Sequence, residues 1–360
     1  MKIFIPPFIA SFILSVALMP AIIKYAKRYG IVDKPNERKV HKKPIPLMGG
    51  LGILIAFILP LFFFTAINMR AIMIAISLIL ITVLGILDDI YDIRASKKLI
   101  VQLICTCLVV GVGVRLNIGE FFITNSFLAI TFDVFISILW CIGIINAINL
   151  IDGIDGLAGG VSFISAIGFL IIGVIAENNL VVVLSSLLAG SVLGFLFYNF
   201  HPARIFMGDA GSTLLGFCLA IISLLVPEYS VSKSSLYAPV LILGIPILDT
   251  GVSILRRAFM KNGIFTADEE HIHHKLLHMG FNQRWTVGIM YLLALISTGV
   301  GLIVYNSQQE RLGILFIVIY VFYGVAISVK EVYFGETIAQ IAIAKKDNIR
   351  KMDSNTNNNK

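Results

Sequence analysis

Apolar residues run through this chain in blocks of about twenty, parted by short polar stretches. Read with a window of that length, the pattern predicts membrane-spanning helices near residues 3–23, 46–67, 69–87, 99–115, 127–149 and 157–176. Five more follow near 180–198, 211–226, 235–255, 286–305 and 312–330. Eleven spans put the two termini on opposite sides. The expected architecture is therefore an all-α, polytopic integral membrane protein: a single transmembrane catalytic domain over 1–330, then a cytoplasmic tail over 331–360 with a disordered end. No repeat of fixed period marks a second unit.

Composition agrees with the pattern: 58% of the 360 residues are hydrophobic and only 14% charged, and the mean hydropathy is +0.93. A soluble globule is excluded. The net charge of +7 would suit nucleic acid, but its placement argues otherwise. All but five of the 28 lysines and arginines fall on one side of the eleven-span arrangement, the exceptions being Lys2, Arg70, Arg115, Lys233 and Arg311. By the positive-inside rule that side is cytoplasmic, with the N-terminus outside. Cys105, Cys107, Cys141 and Cys218 sit in apolar runs without metal spacing and read as small buried hydrophobes.

Every polar cluster falls on the cytoplasmic side. Asp88, Asp89 and Asp92 close the third span; if its helix continues, Asp88 and Asp92 share a face. Clustered carboxylates repel unless a cation lies among them, and oxygen ligands suit Mg²⁺ or Mn²⁺. Lys98, one or two turns on, could hold a phosphate oxygen or be an ordinary interfacial lysine. Asn146, Asn149, Asp152 and Asp155 step by three, which would line amides and carboxylates along one drifting face, although the two Asp-Gly pairs also suit plain turns. Amides that donate and accept can read a nucleobase edge.

Three further stretches join these. Asp33 to Pro44 is a charged, proline-bearing loop running into Gly49, Gly50 and Gly52, which would admit close helix packing or a ligand. Asp209, flanked by Gly208 and Gly211 at the start of a span, could be a metal carboxylate beside free amides or a helix N-cap. The long loop from Arg256 to Arg284 holds His271, His273 and His274; these could bind zinc, but phosphate is the better match to the other clusters. Asp249 is expected to pair with an arginine. Together the stretches imply a metal-dependent phosphotransferase that joins a water-soluble phosphorylated donor to a membrane lipid.

These motifs, in this order over residues 30–285, resemble the polyprenyl-phosphate N-acetylhexosamine-1-phosphate transferase family. Within it, Glu270 to Leu277 resembles the branch that uses UDP-N-acetylglucosamine; Ile272 interrupts the three consecutive histidines of the phospho-N-acetylmuramoyl-pentapeptide branch. The resemblance implies transfer of N-acetylglucosamine-1-phosphate from UDP-N-acetylglucosamine to undecaprenyl phosphate, with UMP released, on the cytoplasmic face of a bacterial cell membrane, for a cell-envelope polymer. It implies that Asp209, with support from Asp89, binds Mg²⁺ (or Mn²⁺), and that Asp88 and Asp89 position or deprotonate the lipid phosphate. Asn146, Asn149 and Asp152 would contact uridine, while His271, His273, His274, Arg256 and Lys98 would contact diphosphate or sugar, with Asp155 in either group. A homodimer is compatible with this reading, and no nucleic-acid partner is expected. The pentapeptide branch, a prenyltransferase of the kind whose DDxxD pattern Asp88 to Asp92 matches, and a transporter are the alternatives.

Overall fold

The computed structural model describes residues 4–35, 43–226, 234–259 and 271–326. The central part of the loop between the first two apolar blocks, Lys233, the acidic residues Asp268, Glu269 and Glu270, and the tail over 331–360 lie outside these.

Each apolar block is helical. α1 (Ile5–Tyr29), α2 (Gly49–Phe64), α3 (Met69–Tyr91), α4 (Ala95–Gly111), α5 (Ser126–Ile151) and α6 (Leu157–Ile175) are followed by α7 (Asn179–Asn199) and α8 (Gly208–Leu225). Then come α9 (Ser234–Ile242), α10 (Gly244–Phe259), the short α11 (Ile272–His278), α12 (Gln283–Ser307) and α13 over 310–326. Among the described residues, seven helices are long and apolar enough to cross a membrane, and eight if α9 and α10 form one broken span. The protein is a polytopic helical membrane protein. The block at 235–255, expected as one span, is broken and bends by 76° between α9 and α10.

α7 and α8 are the most enclosed helices, and the others wrap around them. α1 meets α7 through small residues: Ser15 Oγ donates to the Ser191 carbonyl at 2.7 Å, the kind of close contact that holds helices together where lipid removes the hydrophobic drive. Large apolar side chains such as Ile13, Phe63, Ile100, Phe135 and Ile303 remain exposed on the outside. In a bilayer that surface is at no disadvantage.

α3 reaches α8 at one close approach. A Cβ on Gly85 would lie 2.3 Å from Ala210 Cα, so only glycine lets the end of α3, with its aspartates, rest on the first turn of α8. Between α1 and α2, Val32–Asp33 and Ile45–Pro46 form a short antiparallel pair, which folds the first loop back over the same end of the bundle.

Candidate active site

The starts of α6, α8 and α11 and the ends of α1, α3, α5 and α7 surround a cleft of about 1050 Å³. Asp89, Asn149, Asp152, Asp155, Asp209 and His274 line it. The polar clusters that are far apart in sequence therefore meet at one end of the bundle.

The carboxylates divide their work. Asp89 accepts the Asp209 amide at 2.8 Å and the Ala210 amide at 3.4 Å, so α3 supplies the N-cap that Met207 does not give α8. Gly208 has φ +67° and lies against the Asp89 carboxylate, a place and a conformation that a side chain could not share. Asp88 accepts the Ile93 amide at 2.7 Å and pairs with Lys98. The Lys98 ammonium also reaches Asp209 Oδ2 at 2.9 Å, so it bridges two helices' carboxylates where a cation is needed.

Asn149 accepts the Ser212 hydroxyl at 2.5 Å, tying α5 to α8. α5 ends at Ile151 with Asp152 as its C-cap residue. Burial, and then the negative charges of Asp209, Asp89 and Asp155, push the Asp152 carboxyl up to about 8. Asp155 Oδ2 accepts from His201 Nδ1 at 2.8 Å and from the Ala203 amide at 3.1 Å. Asn199 accepts the Gly156 amide at 3.0 Å, capping α6 from the end of α7.

The histidine segment is anchored from α10. Asp249 accepts the Ile272 amide at 2.8 Å and lies 2.8 Å from His271 Nδ1; both side chains are buried. The parallel rings of His271 and His273 lie 6.0 Å apart, and His273 Nε2 sits against Gly153, where a Cβ would come within 2.3 Å. Burial, then the neighbouring His274, holds the His273 imidazole down at about 4, so it is neutral under physiological conditions. His274, beside it, opens into the cleft.

Residues 71–226 match glycosyl transferase family 4. The chain is 39% identical over 293 residues, 80% of its length and 81% of the relative's, to the "Probable undecaprenyl-phosphate N-acetylglucosaminyl 1-phosphate transferase" of Bacillus subtilis. It belongs to this family. It is also 30% identical over 268 residues (73% of this chain, 78% of the relative) to the undecaprenyl-phosphate alpha-N-acetylglucosaminyl 1-phosphate transferase of Thermotoga maritima. A decaprenyl-phosphate N-acetylglucosaminephosphotransferase of Mycobacterium leprae is 30% identical over 319 residues, covering 77% and 80% of the two chains.

For a family 4 member the geometry corrects several expectations drawn from spacing. Asp92 does not share a face with Asp88: α3 stops at Tyr91, and Asp92 caps it with φ 51° and is exposed. The ladder from Asn146 to Asp155 does not stay on one face, because α5 ends within it. Asn146 instead donates to Gln102 Oε1 at 3.1 Å and to the Ile142 carbonyl at 2.7 Å, joining α5 to α4 outside the cleft lining. Asp249 holds His271 and the start of α11, partners that its neighbourhood in the sequence did not suggest. Arg256, His271 and His273 are buried and lie outside the cleft lining.

Asn199, His201 and Arg204 also line the cleft and were not foreseen. Their signal was available in the run from Asn199 to Asp209, where three polar residues interrupt apolar ones just before the glycine-flanked aspartate.

Proposed function

We propose that this protein is a metal-dependent transferase that moves N-acetylglucosamine-1-phosphate from UDP-N-acetylglucosamine to undecaprenyl or another polyprenyl phosphate, releasing UMP, on the cytoplasmic face of a bacterial cell membrane. The observation that carries the reading is the convergence of Asp88, Lys98, Asp89 and Asp209 beside a cleft at one end of a membrane bundle, in a chain whose relatives are named as undecaprenyl-phosphate N-acetylglucosaminyl 1-phosphate transferases. Residues 1–330 act as one catalytic unit with eleven spans and the C-terminus inside.

The donor set fits Mg²⁺. All the candidate ligands are carboxylate oxygens, and Mg²⁺ is usually held by one or two carboxylates together with substrate phosphates. Among the described residues no group of three His, Cys, Asp or Glu side chains is placed to hold a metal ion. Asp209, about one-third exposed, has carboxylate surface facing the cleft. Asp89 lends support by fixing the turn that carries it. When bound, the metal would neutralise diphosphate charge.

The reaction forms a bond between a lipid phosphate oxygen and the sugar-bearing phosphorus and breaks that phosphorus's bond to the bridging oxygen, which leaves with UMP. The attacking group, a phosphate monoester with a second pKa near 6, is already largely anionic at pH 7. No strong base is required. Asp88 therefore acts by orienting Lys98, whose ammonium can turn from Asp209 to a phosphate oxygen. Alignment and charge neutralisation supply most of the rate.

The test is UMP release by purified protein given undecaprenyl phosphate, Mg²⁺ and UDP-N-acetylglucosamine, with Asp209→Asn in parallel. Lipid-dependent UMP that falls by roughly 10²–10³-fold or more in the variant is expected. UMP only from UDP-N-acetylmuramoyl-pentapeptide would move the protein to the other branch, and none from folded wild type would sink the reading.

A further inference from the structure

His201 has no part in the site as the sequence presents it, yet it stands in the cleft wall beside Asp155. Its Nδ1–H donates to Asp155 Oδ2 at 2.8 Å, and the same oxygen takes the Ala203 amide at 3.1 Å. One carboxylate thus fixes both the imidazole and the backbone of the loop that carries it. The ring is 39% exposed against 13% for its partner, so the carboxylate is inside and the imidazole faces the ligand space. With Nδ1 committed, Nε2 is the nitrogen left for a ligand.

The surroundings select the ligand's chemistry. The loop runs from Asn199, which caps α6, to Gly208 and Asp209 at the start of α8, and Arg204 on it lines the same cleft. An anion held at Asp209 therefore shares one cleft with an imidazole and a guanidinium. With both ring nitrogens carrying hydrogen, Nδ1 donates to Asp155 and Nε2 can donate to a phosphate oxygen. A neutral nucleoside would gain little from this arrangement.

We propose that His201 binds the nucleotide phosphate of the donor, the one that departs in UMP, and that Asp155 is the positioning residue that fixes its ring. The inference rests on the donor being a UDP-sugar. It adds to that reading an imidazole that stabilises the charge developing on the leaving phosphate.

The experiment compares UMP and uridine as inhibitors of the wild-type enzyme, His201→Ala and His201→Phe, the last keeping a ring without nitrogens. Loss of a hydrogen bond to a charged phosphate should raise the UMP inhibition constant about tenfold or more, with the uridine constant within about twofold. If uridine fails to compete even on wild type, its affinity is too small to matter and the UMP constant alone decides.

UMP inhibition unchanged in both variants overturns the proposal, as does an equal loss for UMP and uridine, which would mean that His201 only shapes the nucleoside pocket. Asp155→Asn keeps an oxygen for the Ala203 amide. It should weaken UMP in the wild-type background and have no further effect in His201→Phe; an additive loss would remove Asp155 from the positioning role. Wild-type protein that neither releases nor binds UMP would instead count against the functional reading itself.

Discussion

The helix starts at the two ends of this bundle are finished in different ways. At the end away from the cleft, α3, α5 and α7 are each capped by the asparagine that precedes them. Asn68 accepts the Ala71 amide at 2.9 Å, Asn125 the Phe127 and Leu128 amides at 3.0 and 3.1 Å, and Asn178 the Val181 amide at 3.1 Å. At the cleft, α6, α8 and α11 are capped from another helix, by Asn199, Asp89 and Asp249, while α12, whose Gln283 lines the cleft, keeps a local cap in which Asn282 accepts the Trp285 amide at 2.9 Å. A local cap stabilises one helix, whereas a cap from elsewhere also fixes where that helix begins relative to its neighbour. At the cleft, the three caps from other helices set the mutual positions of the segments that carry the candidate site residues.

The sharpest way to break this contrast is at Asp89. Asp89→Ala leaves the first α8 amides without their partner, removes a carboxylate from the cleft wall and frees the turn carrying Asp209. A stability loss of about 1–3 kcal/mol and nearly complete loss of activity are expected, read by melting in detergent and by UMP release. Asp89→Asn retains an amide acceptor and should recover most of the stability. If it also recovered full activity, the charge of Asp89 would be irrelevant and the cap its whole purpose.

A smaller effect is expected at Asp249, because only the seven-residue α11 depends on it. Asp249→Ala removes both the acceptor for the Ile272 amide and the partner of His271. Turnover should fall by about 10–100-fold, consistent with the cost of misplacing a contributing group such as His274. Asp249→Asn can still accept the amide but turns an NH₂ group toward His271 Nδ1. Activity near wild type in Asn but not in Ala would show that only the start of α11 matters; equal losses would show that the His271 contact does.

The same contrast explains what could be read beforehand. The apolar blocks found all the long helices because lipid exposure and helix length are local properties of the sequence. Asp88, Asp89, Asp152, Asp155 and Asp209 could be gathered because carboxylates at the ends of apolar runs need a shared reason. The partner of each was not legible. Asp89 meets an amide 120 residues away, and Asp155 meets an imidazole 46 residues away; no period in the sequence encodes such pairings. Asp249 likewise takes as a partner His271, 22 residues on. The bend between α9 and α10 was hidden for a related reason: hydropathy is blind to direction.

The smallest effect belongs to the far end, and it is the control on the whole contrast. Asn68→Ala deprives α3 of one side-chain acceptor in its first turn, at the opposite end of that helix from Asp88 and Asp89. A local N-cap is worth about 1 kcal/mol. A melting temperature a few degrees lower is therefore expected, with kcat and the KM for UDP-N-acetylglucosamine both within about twofold of wild type. A large fall in kcat without further loss of stability would mean that α3 transmits changes along its length to the aspartates, and that the two ends are not the separate structural and catalytic regions their caps suggest.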